Sequence, residues 1–288
     1  MKNKFRLDKY AIPEKYEIFI EPDLENEKFI GNETIHLEIN KPTKQIKLNT
    51  IGLKITNPKL LDANKSEYIP EIRFDEEHEM VEFNFDKEIG TGNFSLYLEF
   101  SGILDNSLRG FYMSNYVDEK GESHRIGTTQ FESTDARRAF PCFDEPEFKS
   151  VYALKLKIKK DLFTVSNSSI KEIYEDGDKL VYQFNDTMKM STYLVAFIMG
   201  PFEATNEVDV DGTPLRIVYP EGKGELAKFA LEVGEFALKY FSDYFGRPYP
   251  GDKLDMIAIP DFASGAMENL GCITYREALL LVNENNAT

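Results

Sequence analysis

The feature that most limits what this chain can fold into is an alternation of apolar and polar residues, with a period of two, through its N-terminal two thirds. Tyr16, Ile18 and Ile20 form one such set, and Ile35, Leu37 and Ile39 a second. Val81, Phe83 and Phe85 form a third, and Phe94, Leu96, Leu98 and Phe100 a fourth. Each set puts apolar side chains on one face of an extended strand. Gly31-Asn32, Asn57-Pro58 and Gly90-Thr91-Gly92 read as turns between them. No helical period competes, so the pattern predicts antiparallel sheets arranged as a β-sandwich or saddle. The segment VYALKLKI continues it, with Tyr152, Leu154, Leu156 and Ile158 inward and Lys155 and Lys157 outward. The run STYLVAFIM, at 191–199, is apolar on both faces and reads as a strand covered on both sides, closed by Gly200-Pro201.

After residue 203 the period changes. Leu226, Phe229, Ala230, Val233, Phe236, Ala237, Tyr240, Phe241 and Tyr244 recur in steps of three and four, which predicts an amphipathic helix over about 225–245. Gly246 and Pro248 stop it. A strand from Leu254 to Ile259 follows and runs into Pro260-Asp261 and a loop of small residues. The chain therefore reads as mainly β, with a β-domain over 1–203 and the opening of a mixed α/β domain over 204–288. A length of 288 residues agrees with two units, at a prior of roughly 150 residues per domain.

Charge and cysteine content exclude several classes. With 34 basic and 50 acidic residues the chain carries a net charge of −16, which leaves no basic footprint for nucleic acid. Cys142 and Cys272 are the only cysteines, too few and too far apart for a disulfide framework or a thiolate metal cluster. The basic N-terminus lacks an apolar stretch behind it, and the longest apolar run, Tyr193 to Met199, is far too short to span a bilayer. These features lead to the expectation of a cytoplasmic protein with no membrane partner.

The common catalytic patterns are absent. A hydrolytic zinc site of the HExxH type needs two histidines four residues apart on a helix, and none of His36, His78 and His124 has that partner. His78-Glu79-Met80-Val81-Glu82 comes nearest, but it carries Glu82 in the second ligand position and opens an alternating strand. His36 falls on a polar strand face. No GxSxG is present, and Cys142 between Pro141 and Phe143 reads as a buried thiol.

Two segments carry more information: TTQFESTDARRAFPCFDEP, Thr128 to Pro146, and IPDFASGAMENLGCITYRE, which contains Gly265-Ala266-Met267-Glu268-Asn269. Together with LRGFYMS at 108–114 and STYLVAFIMGPFE, and in this order, they resemble the zinc aminopeptidases of the aminopeptidase N family, gluzincins whose exopeptidase signature is GAMEN. The resemblance covers nearly the whole chain. It implies that 204–288 is the truncated start of a thermolysin-like domain, with the GAMEN strand region at 254–277. It further implies a substrate-binding set of Gln130, Glu132, Gly265, Ala266, Met267, Glu268 and Asn269. Glu268 and Glu132 would hold the substrate's free α-ammonium through charge-assisted hydrogen bonds, with Gln130 assisting. Small Gly265 and Ala266 would let an extended substrate backbone approach the strand edge. Met267, Phe262 and Phe131 read as packing residues at the rim of a side-chain pocket, and the acids and arginines of DARRAFPCFDEP as a supporting ion-pair network. Leu270 departs from the aromatic that many relatives carry after GAMEN.

In the family the zinc helix with HExxH follows the ITYRE strand, and the chain ends at Thr288 before reaching it. The resemblance thus implies zinc in the complete enzyme, but no metal ligand, no catalytic residue and no bound zinc in this chain. The expectation is the N-terminal portion of a metallo-aminopeptidase, acting on peptides with a free N-terminus and inactive alone. Two alternatives stand beside it: a non-catalytic peptide- or protein-binding module, and one half of a split aminopeptidase completed by a separate C-terminal half. An apolar run, Leu279 to Val282, is expected to be exposed and to promote self-association.

Overall fold

The structure, a computed structural model, describes residues 5–118 and 120–282. Its largest element is an eight-stranded sheet in the order Ile170–Asp176, Lys179–Phe184, Val151–Lys159, Ala11–Asp23, Lys28–Ile39, Gly92–Ile103, Lys54–Asp62 and Glu67–Tyr68. The alternation works as the sequence implies. Tyr16, Ile18, Ile20, Ile35, Leu37, Ile39, Leu96, Leu98 and Phe100 are all buried on one face. A three-stranded sheet of Thr43–Asn49, Met80–Ile89 and Glu71–Asp75 adds Ile46, Leu48, Val81 and Phe83 to the same cluster. Within the eight-stranded sheet one pair departs from the antiparallel pattern: Ala11–Asp23 lies parallel to Val151–Lys159, with Lys15 opposite Val151 and Ile20 opposite Leu156.

Two turn readings are corrected. Gly31 lies inside the Lys28–Ile39 strand, where a Cβ would come within 2.6 Å of the Phe100 ring and 2.7 Å of the Phe19 carbonyl oxygen. The glycine admits a close approach rather than a reversal. Asn57-Pro58 lies inside the Lys54–Asp62 strand, at a register shift between Thr56 and Lys59 with Asn57 at φ 50°, and so forms a bulge. Gly90 and Thr91 do connect two strands, Met80–Ile89 and Gly92–Ile103. The STYLVAFIM run divides: Thr192–Leu194 is a short 3-10 turn, and only Phe197–Gly200 is strand, buried along its whole length.

That strand belongs to a four-stranded sheet ordered Phe163–Ser166, Phe197–Gly200, Ser123–Gln130 and Gly110–Val117. Beside it stands a six-stranded sheet with Phe202–Ala204, Thr213–Pro220, Leu254–Ile259, Cys272–Arg276 and the edge strand Ala266–Met267, and with Val208–Val210 also on Thr213–Pro220. Thr213–Pro220, Leu254–Ile259 and Cys272–Arg276 run parallel. The Lys228–Phe245 helix makes the first crossover and ends at Gly246, whose φ of 62° and N–H to the Asp243 carbonyl (3.2 Å) close it as a left-handed cap. No helix among the described residues is long and apolar enough to cross a membrane.

The helix turns its small residues inward. Only Ala230 and Gly234 are buried, and a Cβ on Gly234 would lie 2.9 Å from the Met256 sulfur. Phe229, Phe236, Tyr240, Tyr244 and Phe245 are exposed, with Phe236, Tyr240 and Tyr244 stacked along one stripe. The 279–282 run is corrected in the opposite direction. Leu280 and Leu281 are buried in the cluster under the helix, and Leu279 alone of the three leucines is exposed.

Glu33 is fully buried on the core face of its strand, and neither carboxylate oxygen has a hydrogen-bond partner. Burial holds its carboxyl well above the usual carboxylate range. An unfolded glutamate ionises near pH ~4.3, so the folded state binds the extra proton above that pH, and stability falls as pH rises from there towards the folded pKa. We expect Glu33→Gln, which mimics the neutral form, to unfold near the wild-type temperature at pH 4 and several degrees above it at pH 8. Calorimetry across that range checks this, and equal pH slopes for the two proteins would contradict it.

Candidate functional site

The GAMEN segment is built at the junction of the four- and six-stranded sheets. Leu254–Ile259 ends at Pro260, and the following loop is held from two sides. On one side the Tyr112 hydroxyl donates to the Asp261 carbonyl (2.8 Å), the Asp261 N–H to Ser114 Oγ (3.0 Å), and the Asn115 N–H to Asp261 Oδ2 (3.1 Å). Burial, and then the Asp261 charge, pushes the Tyr112 phenol up. On the other side Arg276 donates from Nε to the carbonyls of Phe262 (3.1 Å) and Ser264 (3.2 Å), and from Nη2 to that of Ala263 (2.6 Å). The Arg276 N–H takes the Gly265 carbonyl at 2.9 Å.

From this loop the chain enters the two-residue strand Ala266–Met267, which pairs antiparallel with Thr274 and Tyr275 and stands at the end of its sheet. Gly265, Ala266 and Glu268 are exposed. Met267 and Phe262 are buried in a cluster with Ile126, Ile198 and Cys272, so their side chains pack. Asn269 is 2 % exposed, and its amide donates to Met267 O (3.4 Å), Cys272 O (3.3 Å) and Thr274 Oγ1 (3.4 Å). Its side chain thus ties the loop from inside. The next turn needs Gly271, at φ 73°, because a Cβ there would lie 1.9 Å from the Asn167 carbonyl oxygen. Asn167 in turn donates to the carbonyls of Leu194 and Leu270, both at 2.8 Å.

The second segment leaves the Ser123–Gln130 strand. Ile126, Thr128 and Gln130 share one face by alternation, and Ile126 lies in the cluster that holds Phe262 and Met267. Gln130 is 8 % exposed with Oε1 unpartnered, and the buried Thr128 Oγ1 is unpartnered as well. Thr128 carries no sequence signal beyond its place two residues before Gln130, and only its orphan hydroxyl draws notice. Phe131 is buried against Phe140 and Phe197. Glu132 then emerges into solvent.

Among the described residues neither Glu132 nor Glu268 has a hydrogen-bond or ion-pair partner, and Tyr275, its phenol raised by burial and then by the Glu268 charge, registers the second of them. The acids and arginines that follow Glu132 are spent on one another and on Arg6, Leu7 and Glu79. Arg137 donates to Asp144 Oδ2 (2.9 Å) and Glu79 Oε2 (2.8 Å), Arg138 pairs with Asp135 (2.6 Å), and Glu145 accepts from Arg6 (2.6 Å) and the Leu7 N–H (2.7 Å). This block braces the strand ends. Each of these exposed, unpaired carboxylates can accept hydrogen bonds from a cation, and the bare edge of Ala266–Met267 can pair with an extended chain.

The described residues do not fit a catalytic zinc. Among them only Asp118, Glu122 and His124 bring three ligand atoms together, in a hairpin turn. Asp118 is already committed there, accepting from the N–H groups of Lys120 and Glu122 (2.9 Å each) and facing His124 Nε2 at 3.0 Å. His36, on the eight-stranded sheet, faces Ser95 Oγ (3.0 Å), and His78, in the 3-10 turn Glu76–His78, faces Asp75 (2.9 Å). Both cysteines are buried, and burial pushes the Cys272 thiol up to about 12.

The family model described as the Peptidase M1 N-terminal domain matches residues 12–194, and that of the Peptidase family M1 domain matches 229–288. The chain is 39% identical to Aminopeptidase M1 of Arabidopsis thaliana over 290 residues, covering 99% of this chain and 33% of the relative. It is 38% identical to Aminopeptidase M1-C of Oryza sativa subsp. japonica, covering 98% and 32%. Aminopeptidase N of Acetobacter pasteurianus is 35% identical over 285 residues, covering 98% of this chain and 79% of the relative. The chain thus spans about a third of the length of the plant relatives. A match to the N-terminal domain model over more than half of its residues, joined to one for the peptidase domain, means that this chain belongs to the peptidase M1 family.

Proposed function

We propose that this chain supplies the α-amine anchor of an M1 aminopeptidase, with a β-domain over 1–203 and part of the peptidase domain over 204–288. Its substrates are peptides with a free N-terminus. Glu268 and Glu132 hold the ammonium, Gln130 supplies a neutral acceptor, and the edge at Gly265 and Ala266 receives the peptide backbone. Met267 and Asn269 shape the wall from behind. The observation that carries this reading is the pair of exposed carboxylates without partners, each leaving an element that contributes to one buried cluster. In a chain of net charge −16 such carboxylates draw a cation in, and the fixed loops orient it.

Zinc, where a complete enzyme of this family binds it, would supply the attacking water and polarise the scissile carbonyl. That chemistry is not assigned to any residue of this chain. Its own groups bind and orient the amine end, and they move no proton. A second reading, one half that combines with a separate polypeptide, is supported by the exposed stripe of Phe236, Tyr240 and Tyr244.

Calorimetry with a short free-amine peptide and its acetylated twin tests the anchor. We expect at least tenfold tighter binding of the free amine, the size of one to two charge-assisted hydrogen bonds at about 1.5–3 kcal/mol each, and loss of most of that preference in Glu132→Gln. Equal affinity for the two peptides would remove the anchor. We further expect the purified chain with one equivalent of zinc to release no amino acid from short peptides, as followed by chromatography. Release that a chelator abolishes would contradict the division of labour.

A further inference from the structure

We propose that Arg276 is a positioning residue for the amine anchor, fixing the open strand edge through the loop that precedes it. The inference rests on the anchor reading of Glu268. Three consecutive carbonyl groups, those of Phe262, Ala263 and Ser264, converge on the one guanidinium, and the Arg276 N–H takes the Gly265 carbonyl. Carbonyl oxygens gathered in this way repel one another unless a cation sits among them. The guanidinium meets all three at once, its Nε shared between the carbonyls of Phe262 and Ser264 and its Nη2 on that of Ala263.

The consequence falls on Ala266–Met267. This strand has two residues, pairs on one side only, and begins directly after the loop that Arg276 holds. Among the described residues Glu268 has no hydrogen-bond or ion-pair partner, so its place is set by the backbone on either side, the strand before it and the Asn269-tied turn after it. The opposite end of the loop is fixed by Tyr112, Ser114 and Asn115 at Asp261, which makes Arg276 the brace nearer the anchor. Without the guanidinium, the carbonyls of 262–264 turn to water and the edge loses its register.

The test compares wild type, Arg276→Met and Arg276→Lys by calorimetry with the free-amine peptide and its acetylated twin, and by amide hydrogen exchange over 262–268. We expect Arg276→Met to bind the free-amine peptide at least tenfold more weakly, to bring the two peptides' affinities together, and to exchange faster across 262–268 while still unfolding cooperatively. Arg276→Lys falls between. A merely structural role would lower the unfolding temperature and leave the ratio of the two affinities unchanged, and that result overturns the inference. If Arg276→Met fails to fold, Arg276→Lys decides it: a reduced ratio supports the role and an unchanged one overturns it. Absence of any free-amine preference in the wild type overturns the anchor itself, and this role with it.

Discussion

One buried ammonium ties the candidate site to the scaffold. Lys253, 8 % exposed, donates to the carbonyl of Ser166 in the four-stranded sheet, to the Gly271 carbonyl (2.7 Å) and to Asp255 Oδ2 (2.7 Å). Taking such an ion out of water costs several kcal/mol, a cost that the three converging acceptors offset. Asp255 is held on its other side by Arg216 Nε at 2.7 Å. The turn after GAMEN is thereby fixed against the sheet that carries Gln130. Gly271 can make that contact because it has no side chain, and Asn167 reads both carbonyl groups that flank the junction.

Much of this was legible in the sequence, for a physical reason. A strand with one buried face must alternate, so Tyr16 to Ile20 and Phe94 to Phe100 announced both their conformation and their inward side chains. The parallel pairing of Lys15 with Val151 had no local signal, because it joins segments far apart in sequence. Gly31 and Asn57 misled because glycine and asparagine serve close approach and bulges as well as turns. The period marks the helix but not its orientation. Large apolar residues dominate such a count, whereas the packing against Met256 needed the small ones, Ala230 and Gly234.

The site divides along the same line. Motifs nominated Glu132 and Glu268, which the fold leaves exposed and unpaired. The same motifs nominated Asn269, whose amide the fold spends on its own loop. Sequence does not single out Thr128 or Arg276 within their segments, because what marks them, an orphan hydroxyl and a convergence of carbonyls, exists only once distant segments are folded together. Bracing groups are in this sense harder to read than binding groups. A carboxylate in a motif is visible as a letter, whereas a guanidinium that shapes a backbone is visible only through the backbone it shapes.

The proposed function rests on electrostatic recognition of an amine by carboxylates held ready for it. The braced loops fix the backbone that carries these carboxylates, and the carboxylates' attraction for a cation weakens with salt while the backbone pairing does not. The most direct measurement is a double-mutant cycle that crosses Glu268 and Glu268→Gln with a peptide's free and acetylated N-terminus, read as binding affinity at low ionic strength. Recognition of this kind predicts a coupling energy of about 1 kcal/mol or more between that carboxylate and the ammonium. A coupling of zero would contradict it.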